Sequence, residues 1–165
     1  RAISLDRDNS RARNNYAAML FSQERYRESY EQLERVAGDT SYEGRALAFE
    51  GLGRSALRMD QVDDARIAFQ RALQLDGNLF IAALELSLLE FGQKDYFSAR
   101  RHYQSYLTII EFLQLPHTPR ALLAGIQIEG YFENEELVEN FTLVLSTLYP
   151  SSPEYQQLQR LSDAN

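Results

Sequence analysis

The sequence predicts an all-α protein: a right-handed α-solenoid of stacked helix pairs closed by a C-terminal capping helix. Three observations carry this expectation. The first is a repeat. "RAISLD" (1–6) returns as "RALQLD" (71–76), with Arg1, Ala2, Leu5 and Asp6 matching Arg71, Ala72, Leu75 and Asp76. Ala65, Phe69 and Leu73 each stand 34 residues before Ala99, Tyr103 and Leu107. The offset of 70 is therefore two periods of 34 plus a two-residue insertion in the loop "GDTSYEG" (38–44). The second is helical spacing. Val62, Ala65, Phe69, Ala72 and Leu73 recur at intervals that line up on one side of a helix, and are expected to form one buried stripe. The third is the absence of strand signals. No polar/apolar alternation persists, and Pro116, Pro119, Pro150 and Pro153 all fall at expected helix boundaries.

The elements follow in order as one repeat domain over 1–165. Residues 1–9 read as the tail of a truncated repeat, and a chain that opens without methionine reads as a fragment of something longer. Repeats are expected at 10–43 and 46–79. A third at 80–117 is lengthened by "TIIEFLQLPH" (108–117), a degenerate one follows at 118–151, and a capping helix occupies 152–163. Tyr16-Ala17, Tyr26, Ser29, Leu33 and Val36 fill the frame in the first of these. Phe49, Leu52-Gly53, Val62, Ala65, Phe69 and Ala72 fill it in the second, and Leu86-Ser87, Tyr96, Ala99, Tyr103 and Tyr106 in the third. Small residues are needed where the two helices of a pair cross, because a large side chain would part them. Thr118 can cap a helix with Pro119 in its first position. A helix about 135–149 ends before Pro150, and Ser151 or Ser152 can cap the last one, with Glu154 favourably placed in its first turn. A 34-residue period of two amphipathic helices resembles the tetratricopeptide repeat.

Composition narrows the function. The 165 residues are 44% hydrophobic and 25% charged, which suits a folded domain. A net charge of −7 argues against nucleic acid, whose binders carry a basic face. Lys94 is the sole lysine, so nearly every cation is a planar guanidinium suited to fixed contacts. No cysteine occurs, which removes thiolate chemistry and disulfides. No apolar run approaches the roughly 20 residues that span a bilayer.

Reactive constellations are scarce. His102 and His117 stand apart from any metal-ligand spacing and are expected to be ordinary surface residues. "ENEE" (133–136) places carboxylates at a helix start, where the dipole favours them. "NFT" (140–142) fits a glycosylation acceptor but lies within an expected helix. Neither catalytic residue, nor metal, nor cofactor is implied, and the protein is expected not to be an enzyme.

What remains is surface. In stacked repeats the first helix of each pair lines the concave side. The partner-binding residues expected there are Asn14 and Phe21, then Leu47, Glu50, Arg54, Leu57 and Arg58, then Ile81, Leu84, Leu88 and Phe91, with Arg11, Ala18, Ser22 and Gly92 beside them. "FIAALELSLLEFGQ" (80–93) is apolar nearly all round, and such a helix is normally covered on every side. Two covers are open: the chain's own later helices, or a partner segment docked on the apolar groups. In the second case Phe21, Leu57, Ile81, Leu84, Leu88 and Phe91 supply apolar contact, while Asn14, Arg54 and Arg58 fix polar groups. Tetratricopeptide domains that clamp the carboxylate tail of chaperones place lysines and asparagines in the groove; with one lysine, in a turn, this chain does not suit that task.

Off-consensus segments carry a closer resemblance. "NNYAAMLFSQERYRESYEQL" (14–33), "DTSYEGR" (39–45), "LLAGI" (122–126) and "LYPSSPEYQQL" (148–158) are similar to the PilF/PilW type IV pilus biogenesis proteins. The resemblance implies a pilotin, an outer-membrane lipoprotein facing the periplasm that helps the pilus secretin reach and assemble in that membrane. It implies the secretin as protein partner and attachment through an N-terminal lipid that lies outside this sequence. The stretch 108–117 departs from the family. A generic tetratricopeptide adaptor in another secretion or regulatory complex, with cytoplasmic placement, is the alternative.

Overall fold

A computed structural model describes residues 2–163, with side chains from Asn9 to Ser162. Among these residues nine helices and no strand occur: α1 Ala2–Ser22, α2 Tyr26–Gly38, α3 Arg45–Arg58, α4 Val62–Leu75, α5 Phe80–Gly92, α6 Tyr96–Leu113, α7 Pro119–Tyr131, α8 Glu135–Leu148 and α9 Pro153–Asp163. They fall into two compact units, Arg1–Leu89 and Glu90–Asn165, the division lying within α5. The side chains of residues 1–8, including the "RAISLD" matches, lie outside the described set. The backbone of α1 nonetheless runs unbroken through 2–22, so no turn separates the expected tail 1–9 from the repeat that follows. "DRDN" (6–9) holds no glycine or proline to stop a helix there.

The repeat is written into the backbone of the turns. Glu24, Asp60, Lys94 and Glu133 take positive φ of 61°, 58°, 65° and 55°. The amide after each, in Arg25, Gln61, Asp95 and Asn134, donates to the carbonyl five residues back, in Leu20, Ala56, Glu90 and Glu129, at 2.9 to 3.0 Å. This is the left-handed helix ending in which a sixth residue closes on the first. It directs the second helix of each pair back along the first. Two of the four helix starts that follow carry a side-chain cap: Asp95 accepts from the Ser98 amide and Asn134 from the Leu137 amide, while Arg25 and Gln61 supply none.

In the first unit, small residues let helices meet. Ala17 and Ser29 are fully buried, and the Ser29 hydroxyl donates to the Ala17 carbonyl at 2.9 Å. A Cβ on Gly53 would lie 2.6 Å from the Phe69 ring, so only glycine admits that ring between α3 and α4. Two clusters result. One gathers Ala17, Leu33, Val36, Ala48 and Leu52, the other Ala56, Ala65, Phe69, Ala72, Ala82 and Leu86. The stripe expected on α4 needs one correction: Val62 is 41% exposed. It occupies the first position of α4, where the helix has only begun and the buried crossing starts a turn later, at Ala65.

In the second unit α6 extends for 18 residues and ends at Gln114, whose φ is 51°. Thr118 then caps α7 by accepting from the Ala121 amide, with Pro119 in the first turn. Every residue of α7 from Ala121 to Ile126 is buried. Glu129, also fully buried, takes a two-pronged bond from Arg100 at 2.8 and 3.2 Å and a third from the Asn134 amide group at 3.0 Å. A buried carboxylate needs that many partners. Ser152 caps α9 through the Tyr155 amide at 3.1 Å.

Neither histidine is an ordinary surface residue, a second correction. His102 Nδ1 lies 2.6 Å from Oε2 of Glu90, which is buried. His117 is half-buried, its ring 5.9 Å from that of Tyr106 and 6.2 Å from that of Phe141, and its carbonyl accepts from the Tyr149 hydroxyl at 2.7 Å. The long α6 and the capped start of α7 pin the short loop between them, and its side chain turns inward. Burial holds the imidazole below its ordinary value of 6.5. The neutral ring is thus the folded form, and its contribution is full above the unfolded value and lost as pH falls through the folded one. Taking the protein from about pH 7.5 to about pH 5 is expected to lower the urea midpoint further in the wild type than in His117→Gln.

Candidate partner-binding groove

A groove of about 440 Å³ opens in the first unit between α1 and α3. Its floor comes from α2, whose Ser29 and Leu33 show between the two flanking helices. Asn14, Ala17, Ala18, Phe21 and Ser22 recur on α1 at three, one, three and one residues, the spacing that places them on one side of a helix. Leu47, Glu50, Gly51 and Arg54 do the same on α3. Ala17, Ala18 and Gly51 keep the walls low, which is why space remains. Leu47 is 54% exposed, an apolar side chain left to water at the mouth.

The rim is built from aromatic rings and guanidinium groups. Phe21 and Tyr26 meet edge to face at 5.2 Å. Arg54 lies 4.8 Å over the Phe21 ring, and Arg58, one turn further along α3, lies 4.8 Å over the Tyr26 ring. The Arg58 Nη2 also donates to the Tyr26 hydroxyl at 2.6 Å. Glu50 plays a different part. It is buried, and its Oε2 accepts from the Ala82 amide at 3.1 Å, which ties the start of α5 to α3. Burial pushes its carboxyl above the ordinary value, opposed by that backbone bond and by Arg54.

Of the expected groove residues, Asn14, Phe21, Leu47, Glu50 and Arg54 come together here. Glu50 serves as an internal cap, which corrects its reading as a surface contact. Arg58 stands on the rim, and Leu57 packs half-buried against the second core cluster. Leu84 is 8% exposed, so the open apolar contact expected of it is corrected: it belongs to the interior. Ile81 and Leu88 are half-buried, as is Phe91, which meets Tyr96 edge to face at 5.3 Å in the second unit. No residue of α5 from Phe80 to Phe91 is exposed. Sequence reasoning missed the floor, Ser29 and Leu33, because both matched the repeat frame and were assigned to packing. The signal was the small residue Gly51 directly before Leu52-Gly53, which leaves the second helix visible.

Among the described residues no group of three His, Cys, Asp or Glu side chains could hold a metal ion, and no helix is long and apolar enough to cross a membrane. Helix pairs at a 34-residue period, left-handed turn residues in register and small residues at the crossings define a tetratricopeptide-repeat protein. No family model matches the chain. It is 34% identical over 159 residues, 96% of its length, to the type IV pilus assembly protein PilF of Pseudomonas aeruginosa, and spans 61% of that relative. The solved structure of Pseudomonas aeruginosa PilF superposes with a TM-score of 0.86 at 34% identity, over 92% of this chain and 66% of that one. PilW, a widely conserved type IV pilus biogenesis factor, shares the fold at a TM-score of 0.71 and 20% identity, over 91% of this chain and 67% of that one. MamA shares it at 0.67 and 20%, over 88% and 81%. Within the tetratricopeptide class the chain is similar to PilF and shares its fold with PilW.

Proposed function

We propose that this chain acts in type IV pilus biogenesis as a non-enzymatic scaffold that assists outer-membrane localisation and assembly of the pilus secretin. The observation that carries the proposal is the 34% identity to PilF across 96% of the chain. The groove of the first unit supplies a mechanism: an extended or amphipathic secretin segment lies between α1 and α3, its apolar side chains against Ala18, Phe21 and Leu47, its polar groups met by Asn14 and Arg54. Work of this kind needs a shaped surface and no reactive group. Placement on the periplasmic face of the outer membrane goes with the proposal.

The test uses the full-length protein in its own cells. Deleting it is expected to deplete the secretin from the outer-membrane fraction, and a Leu47→Glu variant, present at wild-type level, is expected to restore little of it. An unchanged outer-membrane secretin in the deletion strain overturns the secretin role and leaves a tetratricopeptide adaptor for another complex.

A further inference from the structure

Arg54 and Arg58 stand four apart on the exposed side of α3, where like charges repel. Two neighbouring cations on the rim of an apolar groove, in a protein of net charge −7, are unusual enough to ask what they meet. Each guanidinium carbon lies 4.8 Å from an aromatic ring centroid, a cation–π contact that holds the charge at the rim. Arg58 spends one donor on the Tyr26 hydroxyl, and Arg54 makes no hydrogen bond to any described residue. Two nearby carboxylates have other partners, although Arg54 also offsets part of the burial cost of Glu50. Glu28 takes both prongs of Arg25, and Glu50 is buried on the Ala82 amide. Both rim cations are exposed, and each is seated against a ring.

We infer that the segment filling this groove is an acidic peptide, with an apolar side chain seated against Ala18, Phe21 and Leu47 and an adjacent carboxylate clamped by Arg54 and Arg58. The inference rests on reading the groove as the docking site, and adds the chemistry of what docks. Planar guanidinium groups accept a carboxylate through two parallel bonds, a geometry lysine does not offer. Clusters of arginine are a recurrent means of holding acidic motifs. The apolar walls of the groove favour a peptide over a free anion, because a small anion has nothing to bury there.

The experiment selects a phage-displayed library of random dodecapeptides on the full-length protein and measures the affinity of the strongest peptide. The expected result is enrichment of Asp or Glu next to an apolar residue, with binding that weakens as salt rises. In Arg54→Gln/Arg58→Gln that peptide is expected to bind about 10-fold more weakly with a flatter salt dependence. In Arg54→Lys/Arg58→Lys the loss is expected to be intermediate, since charge is kept and the planar fork is not. Circular dichroism checks that each variant is folded. Selected peptides without acidic enrichment, no selected peptide at all, or equal affinity in the glutamine variant would overturn the inference. Leu47→Glu separates the two readings. If it abolishes binding while the glutamine variant binds as wild type does, the groove stands and the acid clamp falls; if it too leaves affinity unchanged, the groove reading falls with it.

Discussion

Replacing Phe69 with alanine is expected to lower the stability of the first unit by about 4 kcal/mol. Phe69 is fully buried on α4 and is the largest of the cluster's buried members, the others being Ala56, Ala65, Ala72, Ala82 and Leu86, with half-buried side chains such as Tyr30, Phe49 and Leu57 packed around them. Alanines have no rotamer through which to move into a void, so the space left by the ring stays open and the loss includes both the transfer of the ring and the cavity. Gly53 makes this worse. It has no side chain to offer, because the ring already occupies the place a Cβ would take. Against a typical total of about 5–15 kcal/mol, such a change leaves the unit marginal. Urea denaturation followed by circular dichroism measures it, with the denaturant slope unchanged. A loss below about 1 kcal/mol would mean that the α3–α4 crossing is looser than described.

Gly125→Val is expected to cost the second unit about 3 kcal/mol for the opposite reason, too much volume. A Cβ at this position would stand 2.3 Å from the Tyr103 hydroxyl oxygen and 2.7 Å from the Phe141 ring. Neither neighbour is free to yield. Tyr103 is fully buried and its hydroxyl donates to the Ala121 carbonyl at 2.9 Å, while Phe141 is buried at the facing position on α8. Valine therefore must part α6 and α8 from α7 or break that bond and strand a buried hydroxyl. Gly130→Ala on the same helix is the matched control. Its nearest neighbour is 3.9 Å away and the site is exposed, so alanine is expected to change stability by less than about 1 kcal/mol, in the stabilising direction. Thermal and urea melts of the two variants side by side provide the check.

What could be read from the sequence was local. The caps at Thr118 and Ser152, the extension of α6 and the position of α7 depend on neighbours a few residues away, and all are where the chain's own chemistry puts them. The small residues at the crossings were legible because steric demand recurs at a fixed period. Burial was harder. Val62 fits an apolar stripe and yet is exposed, because helical periodicity does not reveal where along its length a helix is crossed. Leu84 fits a concave position and yet is buried, and Glu50 fits a groove contact and yet caps a helix in the next repeat. The histidines were hidden by the same limit: a polar residue reads as surface until a partner from another helix, Glu90 for His102, is brought to it.

The central claim is that a partner polypeptide lies between α1 and α3 of the first unit. The most direct measurement replaces Ala18, on the groove wall, with a photo-crosslinking amino acid in the full-length protein, and does the same at Arg71, exposed on α4 and outside the groove. Irradiation of cells carrying each variant is predicted to join the pilus secretin to the protein from position 18 and not from position 71. A secretin adduct from position 71 with none from position 18 would contradict the account.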